Sequence, residues 1–213
     1  MFYNKIMKIA IDIDKTLFEC KSALYEFIAK LEGGLYIRPP SSPVFLDKES
    51  PKEKNIKARN IFGKIGNADF YTEIDGSVEF INKLAAEGHQ ITFLSCRPNV
   101  RTMNNVVLTW LEKNKVNYDF VVVSCSNKAK FCEKYGIGLL IDDGINNCIG
   151  ASEAGIQSIL LDTKGKHENK SAINKNNIHR AKNWNAVYKI ANKLIEKDSL
   201  AKNGDEIEPM GMQ

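Results

Sequence analysis

The chain has 213 residues, 43% hydrophobic and 26% charged, with a formal net charge of +4. That suffices to bury one sizeable core and a small second lobe, and it excludes a wholly disordered or fibrous chain. The longest apolar runs, such as residues 120–123 and 139–141, are of strand length, well short of the ~18–20 residues that cross a bilayer. Residues 1–8 are too short and polar for a secretory signal, so a cytoplasmic location with no membrane partner is expected. The mild positive charge favours anionic partners but does not point to nucleic acid. Five cysteines with no C-x-x-C pair fit neither a disulfide framework nor a zinc site. Each is expected to pack as a small hydrophobe.

In chain order, residues 8–13 read as a buried strand. Residues 20–31 read as a helix, with Ala23, Leu24, Phe27, Ile28 and Leu31 on one side and Gly33-Gly34 ending it. A Pro/Ser turn region at 38–43 and a basic helix candidate at 51–62 follow. Residues 77–87 read as a helix stopped by Gly88, and residues 99–113 as a helix preceded by Pro98. Further helices are expected at 128–135, stopped by Gly136, and at 146–154, stopped by Gly155. Strands at 90–95, 120–124, 138–141 and 156–161 separate them.

Strand–helix alternation predicts an α/β chain with a Rossmann-like, doubly wound parallel sheet. The first crossover runs about sixty residues, where ~2–6 are usual, so it should hold structure of its own. The expected organisation is a core domain of residues 1–19 and 71–197 and a small helical cap at 20–70. The polar tail at 198–213 is expected to be disordered.

Four features fall at the carboxyl ends of predicted strands, where open α/β sheets place their sites. They are Asp12-Ile13-Asp14-Lys15-Thr16, Ser95, Lys128 and Asp142-Asp143. Acids gathered in one place are costly unless a cation neutralises them, and an oxygen-only set selects Mg²⁺. The four in this order resemble the motifs of the haloacid dehalogenase (HAD) superfamily of phosphohydrolases, with the insert at the position of that family's C1 cap.

The resemblance implies a role for each residue. Asp12 would be the nucleophile that forms an aspartyl-phosphate, and Asp14 the acid and base serving the leaving oxygen and then water. Ser95 and Lys128 would hold the phosphoryl oxygens. Asp12, the Asp14 carbonyl, Asp142 and Asp143 would hold Mg²⁺. Cys96, Arg97 and Thr16 are candidate substrate contacts. A pump-like frame, with Asp14 as nucleophile, would put Thr16 two places on, where a base is needed. Lys15 stands where the commonest pattern has Gly, which is acceptable if the backbone there keeps a negative φ.

The run from Asn127 to Cys132, then Asn147, residues 154–156, Leu161-Asp162 and Asn183-Trp184, resembles a branch of small 5′-nucleotidase-like members. That implies a small phosphorylated metabolite, a nucleotide, as partner. Between residues 48 and 64 lie six basic residues against two acids, a lobe suited to drawing in an anionic substrate. Phe62, Phe70 and Tyr71 are candidates for stacking on a base, or for cap core. A sugar-phosphate phosphatase and a non-catalytic phospho-ligand module remain open at this point.

Overall fold

The computed structural model describes residues 6–20, 68, 71–96, 101–166 and 177–204, with backbone alone for 20, 101–104 and 201–204. The expected helices beyond Cys20, the turn region at 38–43, Arg97, Phe62 and Phe70 lie outside the described residues.

Six parallel strands form the central sheet: β1 (Lys8–Asp12), β4 (Gln90–Leu94), β5 (Phe120–Val122), β6 (Leu139–Asp142), β7 (Gln157–Leu161) and β8 (Ile178–Ala181). β2 (Phe18–Cys20) and β3 (Tyr71–Glu73) pair antiparallel as a separate ribbon. The main sheet runs β5-β4-β1-β6-β7-β8. Counted in chain order, this is the doubly wound order 3-2-1-4-5-6, whose switch point lies between β1 and β6. Register puts Asp12 opposite Leu94 of β4 and Ile11 opposite Ile141 of β6. The fold therefore sets the ends of β1 and β6 side by side at the crevice.

The central strands are continuously apolar because both faces are covered. Ile9, Ile11, Ile91, Phe93, Leu139, Ile141 and Ile159 are fully buried, each contributing about 1.5–3 kcal/mol. Helices α1 (Ser77–Ala86), α2 (Arg101–Lys113), α3 (Lys128–Tyr135) and α4 (Ile145–Glu153) connect the strands. Gly136 closes α3 at φ 64°, which a side chain would strain. Trp110 and Leu111 of α2 are buried in the main core, as their helical spacing predicts.

Several expectations change. Cys20 ends β2 instead of opening a helix. Tyr71 is buried against Phe18, with ring centroids 4.7 Å apart, and is a core residue, not a base-stacking one. β8 was not foreseen because its two central residues are polar. Arg180 Nε donates to Asp162 at 2.8 Å, and the His179 ring lies 3.0 Å from Gln157 Oε1. Helix α5 (Trp184–Gly204) was also unforeseen and buries Trp184, Val187, Ala191 and Ile195. It carries helical structure beyond Ser199, whose hydroxyl donates to Ile195 O at 2.9 Å, into the segment expected to be disordered.

His89 is structural. Its Nδ1 accepts from Met7 N at 3.3 Å, which requires a neutral ring. Burial lowers its pKa below the usual histidine value, against the opposing charge of Glu87. The unfolded chain therefore takes up this proton more readily, and the associated stability is lost as pH falls through and below the unfolded value near 6.5. Tm should drop between pH 7.5 and 5.5, and His89→Gln should flatten that slope in thermal melts.

Candidate active site

Strand β1 ends in a buried acid. Asp12 accepts from the Thr16 hydroxyl at 3.2 Å on Oδ2, and its Oδ1 meets the Lys128 ammonium. Thr16 is held there by a tight turn. Leu17 N and Phe18 N both donate to Ile13 O, and Lys15 N donates to Phe18 O at 2.8 Å.

Lys128 is the first residue of α3, whose N-cap Asn127 accepts from Lys130 N at 3.0 Å. Placed there, it reaches both Asp12 and Asp142, the latter at 2.7 Å, with only 2% of its side chain exposed. Burial disfavours its charge, but Asp12 and Asp142 outweigh that and hold its pKa above the ordinary lysine range. Asp142 is fully engaged. Besides Lys128 it accepts from Gly144 N at 2.8 Å and from Asn147 Nδ2 at 3.0 Å on each oxygen.

Asp12, Asp142 and Asp143 offer carboxylate oxygens within 4.8 Å of one another, with one ammonium among them. Burial raises the Asp12 pKa, as do Asp142 and Asp14, against the pull of Lys128. The Asp143 carboxyl is pushed up to about 6, by burial first and then by Asp142, while Lys15 and Lys128 oppose. Three acids against one lysine leave an excess of negative charge, and an all-oxygen donor set of this kind fits Mg²⁺.

Ser95 is buried one residue past β4, its N donating to Val122 O at 2.9 Å. Asp14 is half-buried; its charge acts on Asp12 and Asp143, but its carboxylate is not among the three clustered ones. Cys96 is exposed, unlike the buried Cys125, Cys132 and Cys148, so it does not pack as a small hydrophobe. Its thiol donates to Cys125 O at 2.8 Å.

Lys15 departs from expectation: its φ is 64°, in the left-handed region. The turn requires that conformation of whatever residue stands there. Lys15→Gly should therefore raise stability by roughly 0.5–1 kcal/mol, read as a shift in urea midpoint at constant slope.

Sequence reasoning missed Gly144 as a site residue. A Cβ there would stand 2.9 Å from Asp142 Oδ1, so a side chain at 144 would displace the carboxylate that accepts from Gly144 N. The signal lay in glycine directly after the acid pair at a helix start.

No protein-family model matches the chain. Among solved structures, it is similar to a haloacid dehalogenase-like family hydrolase from Streptococcus pneumoniae. The TM-score is 0.60 at 15% identity, covering 87% of this chain and 98% of that one. The chain has the HAD fold. A HAD phosphatase from Thermococcus onnurineus (TM-score 0.57, 13% identity, 87% and 98% covered) and a HAD-superfamily hydrolase from Ehrlichia chaffeensis (0.51, 15%, 88% and 97%) share it. In sequence, the chain is 30% identical over 118 residues to a nucleotidase from Clostridium acetobutylicum. That match spans 55% of this chain and 58% of the relative's length.

Among the described residues, no helix is long and apolar enough to cross a membrane.

Proposed function

We propose that the chain is a Mg²⁺-dependent phosphomonoesterase acting through an aspartyl-phosphate on a nucleoside 5′-monophosphate. The observation that supports this best is the buried ammonium of Lys128, which lies against both Asp12 and Asp142 where β1 and β6 meet. A buried lysine and acids gathered at the switch point of a HAD fold suit phosphoryl transfer.

Asp12, Asp143 and the Asp14 carbonyl would hold Mg²⁺, with Asp142 behind them, because its oxygens are already taken by Lys128, Gly144 and Asn147. Bound there, Mg²⁺ would supply the positive charge that offsets the clustered acids and the charge on the phosphoryl oxygens. An Asp12 oxygen bonds to phosphorus as the ester P–O bond breaks. Asp14 gives its proton to the leaving oxygen, then takes one from the water that attacks phosphorus, releasing phosphate and freeing Asp12. Ser95 and Lys128 hold the non-bridging oxygens. Cys96 and Arg97, just past Ser95, would contact substrate, and residues 20–70 would form the cap above it.

The nucleotide reading draws on the C. acetobutylicum relative and on the basic stretch at 48–64. In a panel of phosphate esters, kcat/KM should be highest for nucleoside 5′-monophosphates. EDTA should stop turnover and Mg²⁺ restore it. Preference for a sugar phosphate would replace the nucleotide assignment while keeping the chemistry. Phosphate binding without turnover of any ester would leave a binding module.

A further inference from the structure

The first residue of α5 reaches the nucleophile's turn from 168 positions away in sequence. The Trp184 indole N–H donates to Thr16 O at 2.9 Å, and the ring is fully buried. Helix geometry puts it there. Asn183 Oδ1 accepts from Ala186 N at 2.9 Å, capping α5 directly ahead of the buried Trp184. On the other side, Gly76 lies beside it, where a Cβ would stand in ordinary contact 3.5 Å from Trp184 Cβ.

The turn holding Thr16 is tied by several backbone bonds. Ile13 O takes Leu17 N and Phe18 N, Phe18 O takes Lys15 N, and Leu17 O takes Ile74 N at 3.0 Å and the Ser77 hydroxyl at 2.8 Å. Among the described residues, the bond to the Thr16 carbonyl comes from Trp184. The Thr16 hydroxyl in turn donates to Asp12 Oδ2. Two hydrogen bonds in series thus connect α5 to the carboxylate proposed as nucleophile. The same turn contains Lys15 in the left-handed region, a conformation that relaxes when its neighbours are not held.

We propose that Trp184 is a positioning residue: through the Thr16 carbonyl it keeps the Thr16 hydroxyl on Asp12 and so holds the carboxylate's rotamer for attack. This rests on the aspartyl-phosphate reading above. A buried indole would also fill space, so the test must separate the N–H from the ring.

Trp184→Phe keeps most of the volume and removes the donor. Trp110→Phe is the matched control. It removes an indole N–H that donates to Tyr71 O at 3.4 Å, outside the turn, while keeping an aromatic ring against Phe18, whose centroid lies 4.8 Å from that of Trp110. With an aryl phosphate and Mg²⁺, Trp184→Phe should lower kcat about 10- to 100-fold with KM within about twofold. Trp110→Phe should keep kcat within about threefold. Because Trp184 acts through Thr16, the pair Thr16→Val/Trp184→Phe should be no slower than the slower single variant. Independent, multiplying losses, or equal loss in the Trp110 control, overturn the proposal.

A second readout needs neither turnover nor a folded Trp184→Phe. In Trp110→Phe protein the remaining indole ¹H–¹⁵N resonance belongs to Trp184, and Thr16→Val should shift it. An unmoved resonance overturns the linkage. Wild-type protein that turns over no phosphate ester overturns the phosphatase reading instead, and the resonance still decides the linkage.

Discussion

Replacing Asp12 with asparagine should abolish turnover, with kcat down by roughly 10⁴-fold or more, while the protein stays folded. Asparagine is nearly isosteric. Its amide oxygen still accepts from Thr16 or Lys128, but it cannot form the acyl bond to phosphorus. The fold tolerates the change because Asp12 is buried with Asp142 close by, and removing one of two like charges relieves repulsion. Thermal denaturation should therefore show Tm unchanged or raised, beside a dead enzyme in a steady-state assay. Appreciable residual rate would move the nucleophile elsewhere, with Asp14 the next candidate.

Lys128→Met acts on stability as well as rate. The ammonium lies between two carboxylates with 10% and 1% of their side chains exposed. Its loss leaves both charges buried without a counter-ion, at a cost of about 3–5 kcal/mol. For a chain of this size that is a Tm drop of roughly 6–20 °C. The deficit has a definite pH dependence. Without Lys128, the folded-state pKa of Asp12 stands further above its unfolded value, so the folded variant binds its proton more tightly. Stability then falls as pH rises through that interval, and the gap to wild type narrows on acidification. Because wild-type Asp12 is itself pushed up to about 8, the gap opens above that pH, and parallel melts at pH 7 and pH 9.5 check this. A gap that widens at low pH would show that Lys128 does not serve as counter-ion to these acids.

Much of the molecule was readable because its signals are local. A strand buried on both faces must be continuously apolar, so β1, β4, β6 and β7 stand out as short runs of Ile, Leu, Val and Phe. Each helix that ends at a glycine announces its stop, as at Gly88, Gly136 and Gly155. Asp12, Asp14, Ser95, Lys128 and the Asp142-Asp143 pair were visible because open α/β sheets place chemistry at strand ends. The strands β2, β3 and β8 were not visible. Three or four residues with a polar centre carry no period, and their pairing partners lie far along the chain. Lys15 shows the same limit: nothing in its neighbours states that the turn demands a positive φ.

By itself, the amino-acid order determined which elements form, that they alternate into a parallel sheet, and which side chains stand at the strand ends. Hydrophobic period and capping act over a few residues, so they are written locally. Only the tertiary structure decided that Lys128 bridges Asp12 and Asp142, that Gly144 and Asn147 saturate Asp142, and that Trp184 holds the turn carrying Thr16. Those contacts depend on strand order and on the burial that makes each unpaired charge or carbonyl costly. Both exist only once the sheet has assembled around β1.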